Sequence, residues 1–361
     1  MTLHSRPPLW TMAAPVAAGI VLLAAIMHWG SGGLFVACLG AALAASVFAA
    51  VHHAEVVAHR VGEPYGTLVL AIAVTLIEVA LIVSLMIAGG EEAIALARDT
   101  VFAAVMIILN GIIGLSLLIG GIKHREQTFS LDGVSAALVA LGAIVMLTLV
   151  FPNYTVTSPG PFYSRSQLIL IAIVSLVIYG AFVFTQTIGH RDYFLVGDED
   201  DAHASTPPPS NTLTALSAAL LMLCLGAVVM LAKKLAPSLE AAVEHVGAPN
   251  AVVGVIIAAI VLLPEGLAAL RAARANRLQT SLNLGLGSAL ASIGLTIPAV
   301  SFVSLLTGNK LLLGIDTKST VLLVLSLFIM TIALRTGRTI LLHGLVLLVV
   351  FVVYLFTTVV P

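Results

Sequence analysis

Apolar runs long enough to cross a bilayer recur from one end of this chain to the other, and they constrain the fold more than any motif does. Thr67–Ala88 reads TLVLAIAVTLIEVALIVSLMIA and Ala251–Leu270 reads AVVGVIIAAIVLLPEGLAAL. A helix needs roughly 20 such residues to span the hydrocarbon core. Inside that core the backbone must satisfy its own hydrogen bonds, so spans of this length are helices. Only 9% of the 361 residues are charged and 60% are hydrophobic, against about 25% charged in ordinary soluble domains. The expectation is an all-α polytopic membrane protein with the lipid bilayer as its main partner. A net charge of -1 gives no basis for nucleic-acid binding. The two cysteines, Cys38 and Cys224, lie in apolar spans and read as small packing residues.

Taken in order, a short polar tail precedes span 1 at Leu9–Met27. No small-residue cleavage site follows it, so it reads as a retained helix. Span 2 is Leu34–Val57, and spans 3 to 6 are Thr67–Ala88, Val101–Gly121, Leu131–Phe151 and Gln167–Ile188. His190–Asn211, with its acidic cluster and triple proline, cannot sit in lipid and marks a linker. Spans 7 to 9 are Thr212–Leu235, Ala251–Leu270 and Leu282–Leu306, followed by Thr320–Leu334 with its flanks and Ile340–Val360. The count is about 11 transmembrane helices. It divides the chain into an N-terminal helix (1–33), a five-helix unit (34–189), the acidic linker (190–211) and a second five-helix unit (212–361). An odd number of spans per unit gives the two units opposite orientation, so two inverted five-helix repeats follow from counting.

Lys and Arg set the orientation. An inside N-terminus puts Arg6, Arg60, Lys123, Arg125, Arg191, Arg271, Arg274, Arg277, Arg335 and Arg338 in cytoplasmic segments. Arg98, Arg165, Lys233, Lys234, Lys310 and Lys318 then lie outside, a bias of ten against six. The linker is cytoplasmic in that orientation. An inner, or equivalent cell, membrane is the expected location.

Glu78 and Glu265 are each the only charged residue in their run. A carboxylate at this depth costs roughly 2.5–3.5 kcal/mol on insertion scales and normally faces a partner, a cation or water. Their contexts match. Val61-Gly62-Glu63-Pro64 precedes the first and Val246-Gly247-Ala248-Pro249 the second. Each glutamate span leads into one with small and polar residues, which carry Asn110 in the first unit and Ser288 and Ser292 in the second. A shared site for cations and protons is one reading, with Glu78 and Glu265 as metal ligands and Asn110, Ser288 and Ser292 adding neutral oxygens. Close helix packing is the other reading for the serines. Pro264, just before Glu265, either frees a carbonyl or simply kinks the helix.

Two further groups stand out. His52, Glu55 and His59 share one face of span 2. They read either as an access point for metal or protons at the cytoplasmic mouth or, more simply, as a helix end snorkelling into the interface. Asp198, Glu199, Asp200 and Asp201 form an acidic run whose spacing is not that of an EF-hand, so it is a regulatory segment or a plain solvated linker.

Several motifs also carry a family resemblance. GEPYGTLVLAIAVTLIEVALIVSLM, Arg98-Asp99-Thr100, LLPEGLAAL, NLGLGSALASIGLTIP and SxxTGN at Ser304–Asn309 together resemble the calcium/proton exchanger (CAX) family of the cation/calcium exchanger superfamily, most of all its ChaA-type branch. The resemblance implies eleven spans, two inverted repeats, an acidic cytoplasmic linker and one essential glutamate per repeat, by position Glu78 and Glu265. It implies antiport of Ca²⁺, Na⁺ or K⁺ against protons, with no resident cofactor. Many members place Gly-Asn three to four residues before the glutamate, where this chain has Val74-Thr75 and Val261-Leu262. Fewer amide oxygens suit Ca²⁺ less well, since it takes six to eight oxygen ligands.

The chemistry of such a pair is simple. A carboxyl group in low dielectric favours its neutral form, and an adjacent cation reverses the preference. One site therefore holds protons or a metal ion, and that exclusion is the core of antiport. An intramembrane hydrolase would need a nucleophile with its base or a metal motif, and neither H-E-x-x-H nor G-x-S-x-G occurs. A cation channel lined by carboxylates is the rival reading, which duplicated halves with single glutamates disfavour.

Overall fold

The computed structural model describes residues 8–27, 29, 32–62, 65–89, 94–194 and 208–360. Among them, eleven helices are long and apolar enough to cross a membrane. They are α1 Leu9–Ile26, α2 Gly33–Val61, α3 Tyr65–Gly89, α4 Leu96–His124, α5 Leu131–Tyr154, α6 Arg165–Gly189, α7 Asn211–His245, α8 Ala251–Arg274, α9 Leu278–Thr307, α10 Thr317–Leu334 and α11 Leu341–Val359. The chain is thus an all-α, multi-pass membrane protein, with α2–α6 and α7–α11 as two sets of five.

Helix pairing follows one scheme twice. The first helices of the two sets, α2 and α7, pack on each other. The third helix of each set packs on the second helix of the other, α4 on α8 and α9 on α3. The third also packs on the fifth of the other set, α4 on α11 and α9 on α6. The two third helices are the innermost, with 72% of the apolar window of α4 buried and 67% of that of α9. The V-G-x-P match has a structural counterpart, because Gly62 and Gly247 both adopt positive φ, at 77° and 71°. Each ends the first helix of its set, a backbone state that glycine enters without steric cost.

The connections repeat the exchange on the two faces of the bundle. Between α4 and α5, strand β1 (Glu126–Thr128) pairs antiparallel with β2 (Arg338–Ile340), which lies between α10 and α11. On the opposite face Phe162, between α5 and α6, bridges to Leu312, between α9 and α10. The β1–β2 side also closes the end of α8. Lys123 Nζ donates to the Arg274 carbonyl at 2.9 Å, and buried Gln127 donates to Ala273 O at 2.9 Å. These groups satisfy carbonyls that a helix C-terminus leaves open.

One boundary differs from the sequence expectation. The seventh span is expected to end at Leu235, yet α7 continues through Pro237 to His245. Hydropathy marks the lipid-buried part of a helix and not its end, and buried Ala236 and Val243 lie in the extension. The linker is expected from His190, and its first residues are held on the bundle: Arg191–Tyr193 forms a 3₁₀ turn, Phe194 stacks edge-on against Phe182, and Asn283 Nδ2 donates to Phe194 O at 2.7 Å. Three helices of the first set contain π-helical turns, at Ile107–Ile112, Met146–Val150 and Thr185–Gly189.

Between membrane helices, association rests on close packing rather than hydrophobic transfer. At the α4–α11 contact a side chain on Gly344 would clash with Leu118 N and meet Gly114 O at 2.6 Å. Gly142 of α5 has open space around it. Gly344→Val should therefore lower the thermal unfolding midpoint in detergent, in keeping with an overpacking cost of about 1–3 kcal/mol, while Gly142→Ala leaves it unchanged or raises it. Equal behaviour of the two variants would show that this crossing does not hold the bundle.

Candidate functional site

Glu78 and Glu265 arrive from different halves of the chain and meet the same turn of one helix. Glu78 lies on α3 and is buried, with 6% of its surface exposed. The hydroxyl of Ser292 donates to its Oε1 at 2.5 Å. Glu265 lies on α8, partly buried, and receives a hydrogen bond to Oε2 from Ser288 at 2.7 Å. Ser288 and Ser292 are four apart on α9, so they share a face about 6 Å apart along the axis. Because α9 packs on both α3 and α8, one helix serves both acids.

The hydrogen bonds leave each carboxyl group a second oxygen. Around them stand buried neutral oxygens. Thr75, one turn before Glu78, gives its proton to Ala71 O at 2.8 Å and keeps its lone pairs. Thr296, one turn beyond Ser292, is fully buried with no partner for its hydroxyl. At the position matching Thr75 the second half has Leu262, buried and apolar. Pro264 sits inside continuous α8 and cannot donate to the carbonyl one turn earlier. Among the described residues no three His, Cys, Asp or Glu side chains cluster as metal ligands. A cation here would rely on two carboxylates and neutral oxygens.

Asn110 lies in the π-helical turn of α4 and is completely buried. Its Nδ2 donates to Ser326 of α10 at 2.8 Å, and its Oδ1 has no partner. It is hydrogen-bonded to neither glutamate. Residues around it nevertheless reach the site helices, since Ile112 lies against Gly266 and Ile108 and Ile113 lie against Gly285.

At the end of α2 the structure pairs His52 with Glu55 across 4.0 Å, with Glu55 half exposed. The His52 ring lies 6.0 Å from that of Trp10, and His59 Nδ1 is buried without a partner. Sequence reasoning missed His53, which is fully buried and reaches Thr11 O of α1 at 3.3 Å. It also missed Ser326. No single-sequence signal separates His53 from His52, or Ser326 from other span serines, because only packing decides which hydroxyl or ring turns inward. Asp198, Glu199, Asp200 and Asp201 lie outside the described residues.

By comparison with known proteins, this fold belongs among membrane transporters of the exchanger class, not among enzymes. The chain belongs to the sodium/calcium exchanger protein family, which matches residues 31–188 and 216–360. It is 48% identical to y4hA of Sinorhizobium fredii, covering 98% of this chain and 97% of that one. It is 38% identical to the sodium-potassium/proton antiporter ChaA of Escherichia coli, covering 94% of each. The crystal structure of the H⁺/Ca²⁺ exchanger CAX superposes with a TM-score of 0.73 over 96% of this chain and 87% of that one, at 15% identity.

Each hydroxyl is tied to one carboxyl group, and that can be observed. Ser292→Ala should move the infrared C=O stretch of protonated Glu78 to higher wavenumber, because a hydrogen bond to that group is lost. Ser288→Ala should move only the band of Glu265, with Glu→Gln variants supplying the assignments. A shift of both bands by either serine variant would contradict the one-to-one pairing.

Proposed function

We propose that this protein is a secondary cation/proton antiporter that exchanges Ca²⁺, and also Na⁺ or K⁺, for protons at Glu78 and Glu265 by alternating access. The observation that carries the reading is the convergence of one carboxylate from each half on adjacent hydroxyls of α9. Two protons balance one divalent ion at such a pair, so exchange leaves no net charge stranded in the bilayer. The names of relatives agree with this class, from the sodium-potassium/proton antiporter ChaA of E. coli to the Ca²⁺/H⁺ antiporter of Aphanothece halophytica. Units 34–189 and 212–361 supply the two gates, and Asn110, Ser288 and Ser292 supply neutral oxygens. The Lys/Arg bias favours an N-terminus in the cytoplasm of a bacterial cell, with His52, Glu55 and His59 near the cytoplasmic mouth. The run Asp198–Asp201 then sits in the cytoplasmic linker, where it tunes the response to cations.

Protons and cations compete for the same oxygens, so cation uptake should strengthen as pH rises on the cation side. In proton-loaded liposomes, Glu78→Gln and Glu265→Gln should each abolish exchange while the protein stays inserted. Gln matches the protonated shape but neither releases a proton nor neutralises a cation. Near-wild-type pH-dependent exchange in either variant would sink the two-carboxylate mechanism.

Selectivity follows from the missing amides. With Thr75 and Leu262 beside the glutamates, monovalent/proton exchange should be measurable, and Ca²⁺ exchange present with modest apparent affinity. Thr75→Asn and Leu262→Asn should move preference toward Ca²⁺ in competition between Ca²⁺ and Na⁺ at alkaline pH. Strict Ca²⁺ selectivity of the wild type would show that other groups complete the shell.

A further inference from the structure

We propose that Ser326 is a positioning residue that fixes the amide of Asn110 so that its oxygen, and not its nitrogen, is offered to the transported cation. The inference rests on the antiport reading above and adds a residue to it. The two ends of an asparagine amide are nearly equal in shape, so their hydrogen-bond partners decide which way the group points. Ser326 spends its one hydroxyl hydrogen on Leu322 O, at 2.7 Å. Toward Asn110 it can then present only lone pairs, which accept from Nδ2 at 2.8 Å. The other atoms near Nδ2 are acceptors as well, Met106 O at 3.4 Å and Met106 Sδ at 3.8 Å. The local chemistry therefore selects the nitrogen for this side of α4.

The consequence falls on the other end of the amide. Oδ1 is buried without a partner in a residue that is itself completely buried. A buried carbonyl oxygen left unpaired is unfavourable and calls for a physical reason. An amide oxygen is a favoured ligand of a hard cation, and this one sits in the turn of α4 that meets α8 beside Glu265. Ile112 of that turn touches Gly266, the residue after Glu265. The two innermost helices thus play different parts. On α9 the four-apart pair Ser288 and Ser292 donates hydrogen bonds to the carboxylates. On α4 the four-apart pair Met106 and Asn110 meets Ser326 instead, leaving an acceptor free for a cation.

The test uses the full chain in liposomes with Ca²⁺ and Na⁺ as probes. Loss of an outer partner of a metal ligand typically weakens metal affinity about 10–100-fold, so Ser326→Ala should raise the cation KM by about that factor while keeping turnover at saturating cation. Ser326→Thr, which retains the hydroxyl, should restore the wild-type KM. Adding Ser326→Ala to Asn110→Ala should cause no further change, since the two act through one contact. A wild-type KM in Ser326→Ala, failure of the Thr variant to rescue, or a further KM increase in the double variant would overturn the proposal. Thermal unfolding of purified protein separates positioning from packing. The expected variant melts like wild type without cation but shows a smaller stabilisation by added Ca²⁺. A lower cation-free midpoint with undiminished Ca²⁺ stabilisation would assign Ser326 to packing and also overturn the proposal. If Glu78→Gln or Glu265→Gln still exchanges, the antiport reading itself falls. If both are inactive and Ser326→Ala binds cations normally, only the present inference does.

Discussion

A carboxyl group in the hydrocarbon zone has no bulk water to bond, so a fold that keeps two of them there must bring them donors from its own side chains. In this chain those donors are Ser288 and Ser292, and much of the bundle is arranged to deliver them. They have to lie on a helix that touches both α3 and α8, which places α9 at the centre. A central helix must also pack closely on its outer neighbour, and Gly294 gives the backbone of α9 that proximity to Tyr179 of α6. The 2.5 Å Ser292–Glu78 bond joins the two halves of the chain, and the 2.7 Å Ser288–Glu265 bond lies one turn away on the same helix. A site built in this way draws on both sets of helices.

The duplicated plan extends beyond the acids. Each third helix crosses to the second and fifth helices of the other set, and each face of the bundle carries one short backbone bridge between halves. Exchanging the halves exchanges the bridges, β1–β2 on one face and Phe162–Leu312 on the other. Within this scheme the chemistry is unequal. The first half has the π-helical turns and Asn110, while the second has the paired serines, Pro264 and the Ser326 that binds Asn110. Glu78 is buried and Glu265 is partly exposed.

Much of this was legible in one dimension. The bilayer's thickness and the need of the backbone to bond itself turn long apolar runs into helices, so the number of spans and their alternation follow from the sequence. The same energetics make Glu78 and Glu265 stand out, because a charge at that depth is too costly to be incidental. The V-G-x-P pair was a weak match in letters. Its significance came from Gly62 and Gly247 sharing a positive φ at equivalent helix ends.

What only the tertiary structure decided was which side chains meet. Spacing places Ser288 and Ser292 on one face, but nothing in it says that this face lies between the two acids. Asn110 reads in the sequence as one more oxygen near a glutamate, whereas folding ties its nitrogen to Ser326, which lies far along the chain. His53 is hidden against α1 although its neighbour His52 drew the attention. The end of α7 runs past its apolar segment to His245. Helix formation and membrane depth depend on each residue and its near neighbours, so the sequence by itself determined them. Hydrogen-bond partners depend on the rotation and crossing of helices from opposite halves, and those are set only when all eleven pack together.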